Sequence, residues 1–185
     1  MIKRLKIVSL LFIFCCCCIL IDLFYNERNS VLEQNSIIHD EFESYDADNN
    51  DSLKGISYLS DYAGYIYIPR FDLKRLIVYG TDSDVLDKGY VGVYDLSACL
   101  ECNDMIILAG HNISSVFHSL HYININDFVF INTRTINRKF YVYDKKVVDD
   151  SDIDYLYDNR VNELLLITCT DNVHERLLVF LKEVL

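Results

Sequence analysis

Leu164-Leu165-Leu166-Ile167-Thr168-Cys169-Thr170 carries a single cysteine to the end of an apolar run, and seven residues later Arg176 opens the next run, Leu177 to Leu181. Upstream, Ile106-Ile107-Leu108-Ala109-Gly110-His111-Asn112 frames a histidine in the same way. A thiol, an imidazole and a guanidinium at strand edges are the parts for acyl transfer through a thioester. A thiolate must attack the carbonyl, since a thiol is a poor nucleophile. A proton donor must protonate the leaving amine, and a fixed cation must stabilise the oxyanion. Cys169, His111 and Arg176 suit these roles in that order, and the planar guanidinium stays charged at physiological pH. Each residue also has a plainer reading, as a buried core thiol, a turn histidine and a solvated surface cation. Their conjunction, each at the edge of an apolar run, favours the chemistry.

The elements that must hold them read as strands. Tyr65-Ile66-Tyr67-Ile68-Pro69 alternates, and Leu76-Ile77-Val78-Tyr79-Gly80 follows. Ser83 to Lys88 predicts a short helix capped by Ser83 and ended by Gly89. Met105 to Ala109 is a strand ending at Gly110-His111. Val116 to Tyr122 predicts a helix with Val116, Phe117 and Leu120 on one face. Phe128 to Ile131 and Lys139 to Tyr143 are strands joined by a polar turn, and Lys146 to Val148 continues the second across a bend. Asp152 to Tyr157 reads as one helical turn, and Leu164 to Thr168 and Leu177 to Leu181 are the last strands. About eight short strands with minor helices predict a mainly β fold, a small closed or nearly closed barrel. Fourteen tyrosines, ten phenylalanines and a single proline in 185 residues suit such a fold.

The N-terminus differs in kind. Ile7 to Ile21 carries no charge, and Leu23-Phe24-Tyr25 extends it past Asp22. Counted from Leu5, about 20 residues suffice to cross a bilayer as a helix. Lys3, Arg4 and Lys6 precede the run, so the N-terminus is expected in the cytoplasm and the domain outside, as a single-pass plasma-membrane protein. No small-residue cleavage site follows, which favours an uncleaved signal-anchor. The expected divisions are a basic start and transmembrane signal-anchor at 1–25, an extracellular acidic linker at 26–63 with a short helix near Val31 to Glu43, and a catalytic domain at 64–185. The net charge of −11 argues against nucleic acid as a partner.

The motifs resemble those of the sortase family. Ala109-Gly110-His111 is similar to the family's histidine triplet, and Leu165-Leu166-Ile167-Thr168-Cys169 to its cysteine signature, with leucine where the first threonine is usual. Arg176 stands where the family carries an arginine at the start of its final strand. Ile66-Tyr67-Ile68-Pro69 and Val78-Tyr79-Gly80 look like the first two strands. Gly92-Val93-Tyr94 departs from the family in lacking an upstream histidine, and the subclass stays open. The resemblance implies an eight-stranded sortase-like barrel with short helices and a membrane-anchored cysteine transpeptidase. It implies His111, Cys169 and Arg176 as catalytic residues and Thr168 as a residue lining the substrate groove, with no metal and no organic cofactor. The implied partners are exported proteins bearing a C-terminal sorting signal of the leucine-proline-x-threonine-glycine kind, and an amine of a cell-wall precursor or pilin.

The remaining signals are weaker. Cys99-Leu-Glu-Cys102 lacks two further ligands for a zinc site and reads as a loop with two thiols free to pair outside the cell. His118 and His121 are three apart on the expected helix, and a half-exposed surface explains them better than a metal. His174 is an alternative proton donor. Asp46 to Asn50 resembles a calcium loop but has Asp51 at the glycine position and Ser57 at the glutamate position, so a solvated linker is expected. Two other functions fit a thiol and a histidine: a cysteine hydrolase of another type, whose local signatures are missing here, and a catalytically inactive binding barrel.

Overall fold

The computed structural model describes residues 2–43, 62–94, 99–152, 154–157 and 160–185, with residues 2–10 and Tyr155 described by backbone alone. The Asp46 to Asn50 segment, expected as solvated linker, lies outside the described residues. Helix α1 spans Ile2–Ile38 and strands β1 and β2 span Gly64–Ile68 and Leu73–Tyr79. Helix α2 is Ser83–Leu86, followed by β3, Val91–Val93, and β4, Ile106–Ala109. Strands β5 to β8 are Phe128–Asn132, Asn137–Asp149, Glu163–Cys169 and Glu175–Glu183.

The eight strands close into a barrel in the order β1-β2-β3-β4-β7-β8-β6-β5. Neighbours are antiparallel except β2 with β3 and β4 with β7. Inward side chains, among them Ile66, Leu108, Val129, Phe140, Leu166 and Val179, form the core. A second cluster, Ile107, Leu165, Ile167, Leu178 and Phe180, lies on the outer face of β4, β7 and β8 under Tyr143, Val148 and Leu156. Strand β7 is therefore buried on both faces, which explains its unbroken apolar run.

Several local expectations change. Strand β3 joins the barrel although its three residues are centred on Gly92. A Cβ there would lie 2.2 Å from the Gly80 carbonyl oxygen, so only glycine admits the close β2–β3 approach. Helix α2 is capped by Asp82, whose carboxylate accepts from the Val85 amide, not by Ser83. Gly89 does follow the helix with φ +77°. The segment Lys139 to Val148 is one strand, with the expected bend present as a register shift between Val142 and Asp144. The expected helix after Val116 is a tight 3-10 turn, His118–Tyr122, with Val116, Phe117 and Leu120 buried as anticipated. Cys99 and Cys102 are disulfide-bonded. Buried Arg138 grips that loop, donating to the carbonyls of Leu100 (3.1 Å) and Cys102 (2.6 Å) while pairing both Glu183 oxygens at 2.8 and 2.6 Å.

The largest difference is in α1. The short helix expected near Val31 to Glu43 is present, but it is joined to the apolar run: the helix continues unbroken to Ile38, and a wider π-helical turn runs on to Glu43. This half of the helix lies on the barrel. Gln34 and Ile38 are almost wholly buried. Gln34 Oε1 accepts the Leu76 amide of β2 at 3.2 Å, and its Nε2 donates to the Gly89 carbonyl at 3.1 Å. Leu76 lies just before β2 begins to pair with β3 at Ile77, so Gln34 satisfies an open sheet edge. Ser30 Oγ donates to the Lys88 carbonyl, and Glu27 accepts from Ser114 Oγ and the Ser115 amide at 2.7 and 3.0 Å. Further along, Lys74 pairs with Glu43 at 2.5 Å. The first half of α1 differs: Leu11, Phe12, Ile13, Phe14, Ile19, Leu20, Ile21, Leu23, Phe24 and Tyr25 are all exposed. Among the described residues no helix is long and apolar enough to cross a membrane. The expected span begins at Leu5, whose side chain lies outside those described.

Candidate active site

Cys169 ends β7, and its position follows from strand alternation. Leu164 and Leu166 face the core, while Leu165 and Ile167 face the outer cluster. Cys169 has the outer parity, is half-buried and carries a free thiol. Strand β8 runs antiparallel beside it, with Arg176 the direct register partner of Cys169. Leu178 and Phe180 put that parity of β8 on the outer face too. Directly opposed residues have Cβ atoms about 4.5–5.5 Å apart, so the guanidinium and thiol rise from neighbouring points of one surface. The turn between them is compact: Thr170 Oγ1 donates to the Asn172 carbonyl at 3.0 Å, and the Thr170 amide to the Glu175 carbonyl at 3.2 Å.

His111 arrives on the other side of β7. Strands β4 and β7 are parallel with Ala109 opposite Ile167, and the Gly110 amide donates to the Ile167 carbonyl at 3.1 Å. The chain segment bearing His111 thus leaves the sheet at the end where Cys169 emerges. Gly110 is required by packing, since a Cβ would meet the Phe117 ring at 2.7 Å and Val116 at 2.9 Å. The Phe117 amide closes the turn on the His111 carbonyl at 3.1 Å.

Both basic groups are held by carboxylates. His111 Nε2 lies 2.9 Å from Asp87 Oδ1. Arg176 Nη1 donates to the Val173 carbonyl at 2.7 Å, and its Nη2 is 3.7 Å from Asp150. His174, the alternative proton donor, is 3.6 Å from the same Asp150 carboxylate. Next to it, the Ser151 hydroxyl and amide bond Asp149 and hold its carboxyl below the usual range. Neither Asp87 nor Asp150 was marked by the sequence, for they lie 24 and 26 residues from the groups they face, with no motif joining them.

Thr168 sits differently from its neighbour. It has the inward parity, is only 2% exposed, and its Oγ1 is buried without a partner among the described residues. His118 bonds Asn112 at 2.9 Å and its ring lies 5.7 Å from that of His121. Among the described residues no three His, Cys, Asp or Glu side chains converge as a metal would require.

The family model of the sortase domain matches residues 66–184. Among solved structures, sortase C1 of GBS pilus island 1 superposes with a TM-score of 0.64 at 21% identity, covering 86% of this chain and 83% of that one. Sortase C-1 from Actinomyces oris gives a TM-score of 0.61 at 28% identity, with 69% and 76% covered. Sortase E1 from Streptomyces coelicolor, solved with a tripeptide in its active site, gives 0.62 at 22% identity, with 68% and 89% covered. Comparison with curated proteins gives no match. The domain model, spanning well over half the chain and both strands that carry the thiol and guanidinium, shows that this chain belongs to the sortase family.

Proposed function

We propose that the chain is a membrane-anchored cysteine transpeptidase that cuts exported proteins within a C-terminal sorting signal and passes them to an amine. The observation that carries this reading is the cross-strand pairing of Cys169 with Arg176, with His111 leaving the parallel neighbour at the same end of the barrel. The Cys169 thiolate attacks the scissile carbonyl, and Arg176 stabilises the oxyanion with its fixed donors. His111 gives its proton to the departing amine as the C–N bond breaks, leaving a thioester. An incoming amine attacks the thioester, His111 takes up its proton, and the thiolate leaves. Donors with a leucine-proline-x-threonine-glycine-like signal and acceptor amines of a cell-wall precursor or pilin fit this chemistry. Thr168, inward on β7, contributes the wall behind the thiol more than the groove itself. The exposed apolar side chains of α1 between Leu11 and Tyr25, behind a basic start, support a single-pass anchor in the plasma membrane with the barrel outside.

The test incubates the full chain in detergent micelles with a panel of sorting-signal peptides and excess small amine, and follows products by mass spectrometry beside Cys169→Ala. An amide product absent from the variant is expected. Free acid alone would make the protein a hydrolase. No product together with a thiol that resists alkylation would overturn the enzymatic reading.

A further inference from the structure

We propose that Asp87 is a positioning residue for His111, and that α1 is the brace that keeps it in place. The proposal rests on the catalytic reading of His111 given above. Asp87 follows α2 and its amide bonds the Ser83 carbonyl at 3.0 Å, which fixes its backbone as the helix ends. Its Oδ1 lies 2.9 Å from His111 Nε2. A carboxylate accepts only, so Nε2 carries the proton of that bond and Nδ1 is the ring nitrogen left to exchange a proton with the substrate amine.

The pair is exposed on both partners, 39% for the imidazole and 70% for the carboxylate. An exposed hydrogen bond alone orders a ring weakly, because both side chains lose rotamer freedom to make it. Here the backbone on each side of the pair is fixed from α1. One residue beyond Asp87, the Lys88 carbonyl accepts from Ser30 Oγ at 2.9 Å and from Gln34 Nε2 at 3.3 Å. The next carbonyl, of Gly89, accepts from buried Gln34 at 3.1 Å. Three and four residues beyond His111, Ser114 and Ser115 donate to Glu27. A single helix therefore holds the turn bearing the carboxylate and the turn bearing the imidazole, and so sets the distance between them.

The experiment records ring 15N–1H correlations of the five histidines in the full chain in micelles, with His111 assigned by loss of its signals in His111→Gln. The same preparations are assayed for transfer to a small amine. Wild type is expected to show His111 with Nε2 protonated as one fixed tautomer. Asp87→Ala should give averaged tautomers for His111 alone and lower kcat roughly 10-fold with KM within about two-fold, a fraction of what a general acid supplies. Asp87→Asn, whose amide oxygen accepts the same bond, should restore the fixed tautomer and most of the rate. Unchanged ring signals in Asp87→Ala, or a rate that is unchanged or rises, would overturn the proposal. If wild type itself forms no amide product, the functional reading fails, and the His111 ring signals alone decide whether Asp87 positions it.

Discussion

Replacing Gln34 by methionine tests whether α1 is part of the fold. The side chain is 2% exposed, so the substitution keeps volume while deleting its hydrogen bonds. Two backbone groups lose their partner: the Leu76 amide, held at 3.2 Å, and the Gly89 carbonyl, held at 3.1 Å. The Lys88 carbonyl keeps Ser30. A buried group left unpaired costs about 1–3 kcal/mol, so the pair costs roughly 2–6 kcal/mol. For a chain of this length, at about 2–4 °C per kcal/mol, that lowers Tm by roughly 4–24 °C. Urea unfolding followed by circular dichroism reads the global loss, and amide exchange at Leu76 reads the local one. The Leu76 amide should lose protection more than Tyr65 or Ile77, its strand neighbours. A Tm change below about 2 °C with Leu76 still protected would refute the reasoning, and α1 would then be an appendage resting on a barrel complete without it.

Arg138→Met should cost about 3–5 kcal/mol in urea unfolding, because it leaves Glu183 uncompensated and frees two loop carbonyls; a cost below about 1 kcal/mol would mean the pair only balances its desolvation. The hydrogen bonds from Ser114 and Ser115 hold the Glu27 carboxyl below its ordinary 4.5. A carboxyl lowered on folding stabilises above its unfolded value, so this contribution should be complete above about pH 4.5 and fade as pH falls through the lower folded value. Glu27→Gln should therefore be less stable than wild type near neutrality and converge with it in acid, as thermal melts across pH would show. Arg176→Lys should lower kcat by about 100-fold while Cys169 alkylates at an unchanged rate, since lysine lacks the planar fork but does not alter the thiol's strand; equal kcat in the two would remove Arg176 from oxyanion binding.

Much of the barrel was legible because its strands are runs of β-branched and aromatic residues bounded by polar turns. The strand-end placement of Cys169, His111 and Arg176 was legible for the same reason, as each closes or opens such a run. Strand β3 was not, because three residues around a glycine carry no periodic signal, and its place depends on a close approach to Gly80. The direction of Thr168 was hidden too: every residue from Leu164 to Ile167 is apolar, and in and out look alike when both faces are covered. The helix near Val31 to Glu43 was expected, but its continuity with the apolar run through the polar Asn26 to Ser30 was not, and its partners are barrel backbone groups that no helical pattern announces. Asp87 and Asp150 meet His111 and Arg176 only through the closure of the barrel.

The bond between Cys99 and Cys102 has a consequence for how the protein matures. Disulfides persist in oxidising compartments, where a free thiol is liable to capture by any partner within reach. The chain has seven cysteines. Four stand together on α1, among its exposed apolar residues, and two close a ring across three positions. The two partners are only three residues apart, so the ring ties down a single turn. Once it has closed, Cys169 has no free thiol elsewhere on the barrel to pair with wrongly. With Cys99 and Cys102 joined, Cys169 is the sole free thiol of the barrel.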